Sequence, residues 1–190
     1  LAFGFLNAIH NGALMTLGPV VAQDTIGRQG WGYVLSAEAA GFLAMAVVLL
    51  RLPVRRPLLV GMLAVSLVAV PITVLGVEPH LTVLVVSSFA AGAGIELFSM
   101  GWNLATQENI DESMLSRAYS YDALGSFVAM PVGQLVYGPL GGAFGVSRVL
   151  VVSGVAYAAI ALLTLTSRSV RTLPRRPDEP RPEARLESPS

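Results

Sequence analysis

Six apolar stretches, each near the length that crosses a bilayer, follow one another with only short polar breaks between them. They run from about Leu1 to Val21, Tyr33 to Leu50, Leu58 to Val77, Leu81 to Leu104, Ala118 to Tyr137 and Val149 to Leu165. A spanning helix needs ~20 such residues. Within hydrocarbon only a helix, or a closed barrel with a different sequence period, satisfies its own backbone. The pattern therefore predicts an all-α, polytopic membrane protein of six transmembrane helices.

The arginines give this array a direction. Arg51, Arg55 and Arg56 follow the second stretch, Arg117 follows the fourth, and Arg168, Arg171, Arg175, Arg176, Arg181 and Arg185 follow the sixth. The opposite breaks hold only Arg28 and Arg148, so ten of the twelve basic residues fall on one side. Basic loops stay in the cytoplasm. That places the Arg51 to Pro57 loop, the N-terminal start and the C-terminal tail on the cytoplasmic side of the cell (plasma) membrane, with the breaks at Asp24 to Gly32 and Gly138 to Ser147 outside.

Composition excludes several classes. At 54% hydrophobic and 13% charged residues, with a mean hydropathy of +0.66, the chain is too apolar for a soluble domain of 190 residues. No basic patch of the kind that binds nucleic acid is present. The absence of cysteine removes disulfides and thiolate metal sites, and no spacing points to a metal or a cofactor. Residues 1–166 read as one six-helix unit and residues 167–190, rich in proline and charge with little to bury, as a disordered cytoplasmic tail. The chain opens on Leu1-Ala2-Phe3 with neither methionine nor a basic flank, which reads as a fragment cut in or just before a helix.

Polar residues distinguish the helices. Asn7, His10 and Asn11 lie three and four apart and share a face of the first. Ser88, Gly92, Glu96, Ser99 and Asn103 form one stripe along the fourth, and Asp122, Ser126, Met130, Gly133 and Tyr137 another along the fifth. The second carries Glu38 just before Gly41. Ionised groups avoid lipid, so helices one, two, four and five are expected to line a shared polar interior, with three and six facing the bilayer. Each half then reads polar, polar, apolar, the pattern of two three-helix repeats of opposite topology.

Glu96, Glu38 and Asp122 are the candidates for transport or proton coupling. A carboxylate in mid-helix such as Glu96 must be protonated or partnered, while Glu38 lies near the outer end, where solvation at the interface is the competing explanation. Asn7, His10, Asn11, Ser99, Asn103 and Ser126 are the candidate cavity-lining set; for His10 the alternatives are titration and a purely structural hydrogen bond. Trp31, Tyr33 and Trp102 fit the aromatic belts at the interfaces. Val151-Val152-Ser153-Gly154 is the nearest approach to a serine elbow, and both histidines are remote from it in sequence, so the chain is not expected to be an enzyme.

Several motifs also carry a resemblance. Arg51-Leu-Pro-Val-Arg-Arg-Pro57, then Trp102-Asn103 with Gln107, the run from Ser116-Arg117 through Tyr121-Asp122 to Gly125-Ser126, Pro131-Val-Gly133, Gly138-Pro139-Leu140 and Ser169-Val170-Arg171 together resemble the C-terminal half, helices seven to twelve, of a major facilitator superfamily permease. Within that superfamily the set resembles bacterial efflux permeases of the macrolide and siderophore exporter type. Asp111-Glu112-Ser113 is more acidic than the family pattern. The resemblance implies alternating access between two six-helix halves, the N-terminal one being absent here, with small amphiphilic molecules as substrate and protons as the coupled ion. It also implies a gate at the start of the fifth helix, where Ser116 is the expected N-cap and Arg117 and Asp122 the expected gate residues. A self-dimerising six-helix half-transporter is the main alternative, and a membrane-embedded hydrolase the remote one.

Overall fold

In a computed structural model, which describes residues 2–51 and 56–166, the chain is helical throughout and has no strand among those residues. Helix α1 runs as Ala2–His10, widens into a π-helical stretch over Asn11–Leu17 and returns to α-helix at Gly18–Asp24. Helix α2 is Gly27–Leu49, α3 is Pro57–Val77, α4 is Leu81–Asn109, α5 is Glu112–Phe144 and α6 is Val146–Thr164. By length and composition α2 to α6 are five helices able to cross a membrane. Helix α1 covers a comparable distance but is interrupted by its π-helical stretch. The tail arginines and Arg55 lie outside the described residues.

Two irregular stretches each precede a proline. Pro19 has no amide to offer the carbonyl of Met15, and its ring crowds that carbonyl, so the turns before it widen. Pro71 stands in the same relation to Leu67, inside the single 3-10 turn Ser66–Val68 of α3. Pro131 and Pro139 are absorbed within α5 without a break.

The helices are longer than the apolar stretches and the breaks shorter. Helix α4 continues through Thr106, Gln107 and Glu108, and α5 begins at Glu112 with Asp111 as its N-cap residue, so Ser116 is inside the helix rather than capping it. Its carbonyl accepts a bond from Ser120 Oγ at 2.7 Å. The expected outer break at Gly138 to Ser147 shrinks to Gly145, whose φ of 86° suits a residue without a side chain and lets α5 pass directly into α6. Gly27, with φ of 76°, begins α2 after the two-residue turn of Thr25 and Ile26.

Helix α3 lies along α4 on one side and α6 on the other, α2 crosses α4, and α1 packs along α5 and touches α6. The crossings are close because small residues sit at them. A Cβ on Gly94 or Gly101 of α4 would strike the α3 backbone at Ala64 or Pro57, and one on Gly133 of α5 would strike the α1 backbone at Ala8. In lipid such van der Waals contact, rather than water exclusion, is what holds helices together.

The expectation that α3 and α6 simply face the bilayer needs correction. Each presents an apolar stripe outward, Val60, Leu63, Leu67 and Val70 on α3 and Val152, Val155 and Leu162 on α6. Their other faces form the centre of the bundle, with Val68, Ile72 and Leu150 fully buried. The most exposed helices are α2 and α5, the latter showing Tyr121, Leu124, Phe127, Val128 and Leu135 along one side.

Candidate functional site

One face of the bundle opens into a cavity of about 550 Å³ to which all six helices contribute. Its polar groups are Asn7, His10 and Asn11 from α1, Glu38 from α2, Ser99 from α4 and Tyr157 from α6. Val65 of α3 and Met130 of α5 complete the ring, and Phe3, Phe42 and Phe98 supply aromatic surface.

The three polar residues of α1 reach the cavity because they share one helical face, and the π-helical stretch begins at the last of them. Asn11 Nδ2 donates back to the Asn7 carbonyl at 3.0 Å, and Asn7 Nδ2 donates to Ser126 Oγ of α5 at 3.3 Å. Glu38 is set by the α2 to α4 crossing, where its backbone lies against Gly92. Its Oε1 stands 3.4 Å from Nε2 of His10, with side-chain exposures of 16% and 17%. That is ion-pair distance without hydrogen-bond geometry, so the buried Nε2 has no hydrogen-bond partner. The two groups attract when the imidazole carries its proton.

A second recess of about 810 Å³ lies between α1 and α5 and holds Asp122, Ser126 and Tyr121. An aromatic stack separates the two. Phe3 borders both, its ring 5.1 Å from that of Phe98 and 6.3 Å from that of Trp102, centre to centre. The indole of Trp102 donates to Asp122 Oδ2 at 3.2 Å and so ties α4 to α5. On the same two helices, Gln107 Nε2 donates to Tyr119 OH at 3.3 Å.

The candidate residues therefore separate into groups. Asn7, His10, Asn11, Glu38 and Ser99 meet at the first cavity, and Asp122 and Ser126 border the second. Asn103 is exposed. Glu96 is half-buried and lies beside the lining residues Gly92, Ile95 and Ser99 without lining the cavity itself. Arg117 is exposed on α5, and the partner of Asp122 is Trp102.

Trp31 is buried against Gly18 and Trp102 is stacked and hydrogen-bonded, so both pack the bundle, while Tyr33 is exposed beside Gln29. Ser153 sits mid-helix in α6, bonded to Tyr137 OH at 2.8 Å, which is not the strand-to-helix turn a nucleophile elbow requires. Tyr157 was missed as a lining residue, because a tyrosine inside an apolar run reads as packing. Among the described residues no cluster of histidine and carboxylate side chains is large enough to hold a metal ion. Comparison with protein-family models, with curated proteins and with solved structures found no match.

Proposed function

We propose that this chain is one six-helix half of a transporter that moves small amphiphilic molecules across the cell membrane by alternating access, in exchange for protons. The observation that carries the reading is the cavity itself: apolar over most of its wall, fed by all six helices, open on one side, with His10 and Glu38 at ion-pair distance in that wall. Ionisable groups held within spanning helices mark transport and proton pathways by default, because their desolvation is costly and needs a return. Glu38, as the carboxylate that lines the cavity, takes precedence over Glu96 and Asp122 for proton coupling.

The helix pairing supports two inverted three-helix repeats. Exchanging α1, α2 and α3 with α4, α5 and α6 turns the α1 to α5 contact into α4 to α2, and α3 to α4 into α6 to α1, while α3 to α6 maps onto itself. All of these contacts are present, as a pseudo-two-fold repeat in a transporter requires. The resemblance to the C-terminal half of major facilitator superfamily permeases agrees with this, and the exposed sides of α2 and α5 flanking the cavity are where a second half would close it. The arginine sorting favours a cytoplasmic C-terminus.

Efflux of a fluorescent amphiphile from cells expressing the protein in its native reading frame tests the proposal. Energy-dependent efflux that collapses when the proton gradient is dissipated is the expected result. Equal dye retention with and without expression overturns it.

A further inference from the structure

We infer that Asn11–Leu17 is a two-register element of α1, held in its wider register by the rings of Trp31 and Tyr137, so that a movement of α2 at Trp31 is passed to α1 as a one-residue change of register. The inference rests on helix packing and is independent of the transport reading.

The seam between α1 and α5 shows what the wide stretch achieves. A Cβ on Gly4 would lie 4.0 Å from that of Ala129, Ala8 packs on Gly133, Gly12 lies under the ring of Tyr137, and Leu17 reaches to 3.1 Å from a Cβ placed on Gly141. From Ala129 to Gly141 the steps along α5 are 4, 4 and 4, one face of an α-helix. From Gly4 to Leu17 the steps along α1 are 4, 4 and 5. The extra residue falls between Gly12 and Leu17, inside the π-helical stretch, where the amide of Gly18 donates to the carbonyl of Ala13 rather than to that of Leu14. An α-helix throughout would present Thr16 to Gly141 instead.

Proline alone does not impose this arrangement. Pro19 favours widening, yet Pro131 and Pro139 are absorbed in α5 without it. Two aromatic rings block the ordinary register. If the residues after the stretch keep their places, Ala13 moves to where Gly12 is and its methyl meets the ring of Tyr137. If those before it keep theirs, Leu17 takes the place of Gly18 and meets the far edge of the Trp31 indole. Even a Cβ at either glycine overlaps the ring beside it.

The two rings are held unequally. Tyr137 is tethered to Ser153 of α6 at 2.8 Å, and α1 before the stretch is tied to α5 by the bond from Asn7 to Ser126 and by the close crossing of Ala8 and Gly133. Trp31 fills the notch at Gly18 by packing. Withdrawal of its indole therefore frees the Gly18 side, where Leu17 enters the vacated notch. Gly18–Asp24 then turns by about 100°, one residue's rotation, against the half of α1 that carries Asn7, His10 and Asn11. π-helical turns are rare and cluster at functional sites, since the α register otherwise prevails.

The test uses the full chain in lipid nanodiscs, where the absence of cysteine admits engineered pairs. Leu17→Cys with Gly141→Cys reports the wide register, and Thr16→Cys with Gly141→Cys the α register, each read as the yield with a short thiol-to-thiol crosslinker. With Trp31 in place the first pair should link and the second should not. Trp31→Leu stays apolar but cannot reach the notch, and should shift the yield from the first pair to the second. Adding Pro19→Ala should complete that shift, whereas Tyr137→Phe, which keeps its ring, should leave the yields as they were.

A pair of deletions checks the extra residue without touching either ring. Removing Met15, exposed inside the stretch, leaves both glycines at their rings in a plain α-helix and should lower Tm little. Removing Val155, exposed on the regular helix α6, throws half of that helix out of register and should abolish the cooperative transition. Unchanged crosslinking in Trp31→Leu with Pro19→Ala overturns the inference. So does a Met15 deletion as disruptive as that of Val155.

Discussion

Gly92 of α4 lies against the backbone carbonyl of Glu38 on α2, so closely that a Cβ at position 92 would overlap that oxygen. Gly41 meets the carbonyl of Phe89 in the reciprocal way a turn along the same crossing. These two glycines hold α2 against α4 and thereby fix where the Glu38 side chain enters the cavity.

Gly92→Ala should therefore push the helices apart at the residue that matters most. Overpacking of this kind costs roughly 1–3 kcal/mol, which thermal unfolding in detergent would register as a clear drop in Tm. Gly125→Ala on α5, where an added Cβ meets nothing within 4 Å, is the matched control and should leave Tm nearly unchanged. Equal Tm values for the two variants would contradict the close crossing.

The bond between Tyr137 and Ser153 joins α5 to α6 in a buried place. Tyr137→Phe removes one hydroxyl and keeps the ring that fills the space beside Gly12. Interhelical hydrogen bonds in membrane proteins average about 0.6 kcal/mol in double-mutant cycles. A cycle with Ser153→Ala should give a coupling of that order, and purely additive losses would show that the bond contributes nothing.

Trp102 and Trp31 are the two tryptophans of the chain, so Trp31→Phe leaves the Trp102 indole as the sole fluorescent reporter of the aromatic stack. In that background Asp122→Ala removes the acceptor of the indole N–H and should move the emission maximum, whereas Asp122→Asn keeps an oxygen acceptor and should move it less. Identical spectra for all three proteins would mean that Asp122 does not hold Trp102.

Much of the architecture was readable from spacing, and the exceptions have physical reasons. Apolar run length reports the hydrocarbon thickness, not the helix, which is why Thr106 to Asn109 extend α4 and Glu112 to Arg117 begin α5 in polar sequence. A stripe at three and four spacing names a face but not its neighbour. The α5 stripe of Ser126, Gly133 and Tyr137 was legible, yet it packs on Asn7, Ala8 and Gly12 of α1 rather than lining the central cavity. Glu96 illustrates the same limit: it belongs to the α4 stripe by count, and the cavity is lined by its neighbours Gly92, Ile95 and Ser99. Tyr157 gave one available signal, a hydroxyl one turn beyond Ser153 in an otherwise apolar helix.

Topology is testable directly because the chain lacks cysteine. Thr25→Cys, in the turn between α1 and α2, should react with an impermeant thiol reagent on intact cells, and Ser188→Cys should react only after permeabilisation. Labelling of Ser188→Cys from outside would reverse the orientation.

The central claim is that the carboxylate in the cavity carries proton coupling, and one comparison addresses it. Proton-driven dye efflux is measured with the protein in its native reading frame, as wild type, Glu38→Gln and Glu96→Gln, at matched membrane expression. A glutamine keeps shape and hydrogen bonding but cannot release a proton. The account predicts that Glu38→Gln loses at least about tenfold in coupled efflux, a 1.4 kcal/mol effect, while Glu96→Gln retains most of it. Full, still pH-dependent efflux by Glu38→Gln would contradict the account and return the coupling role to Glu96.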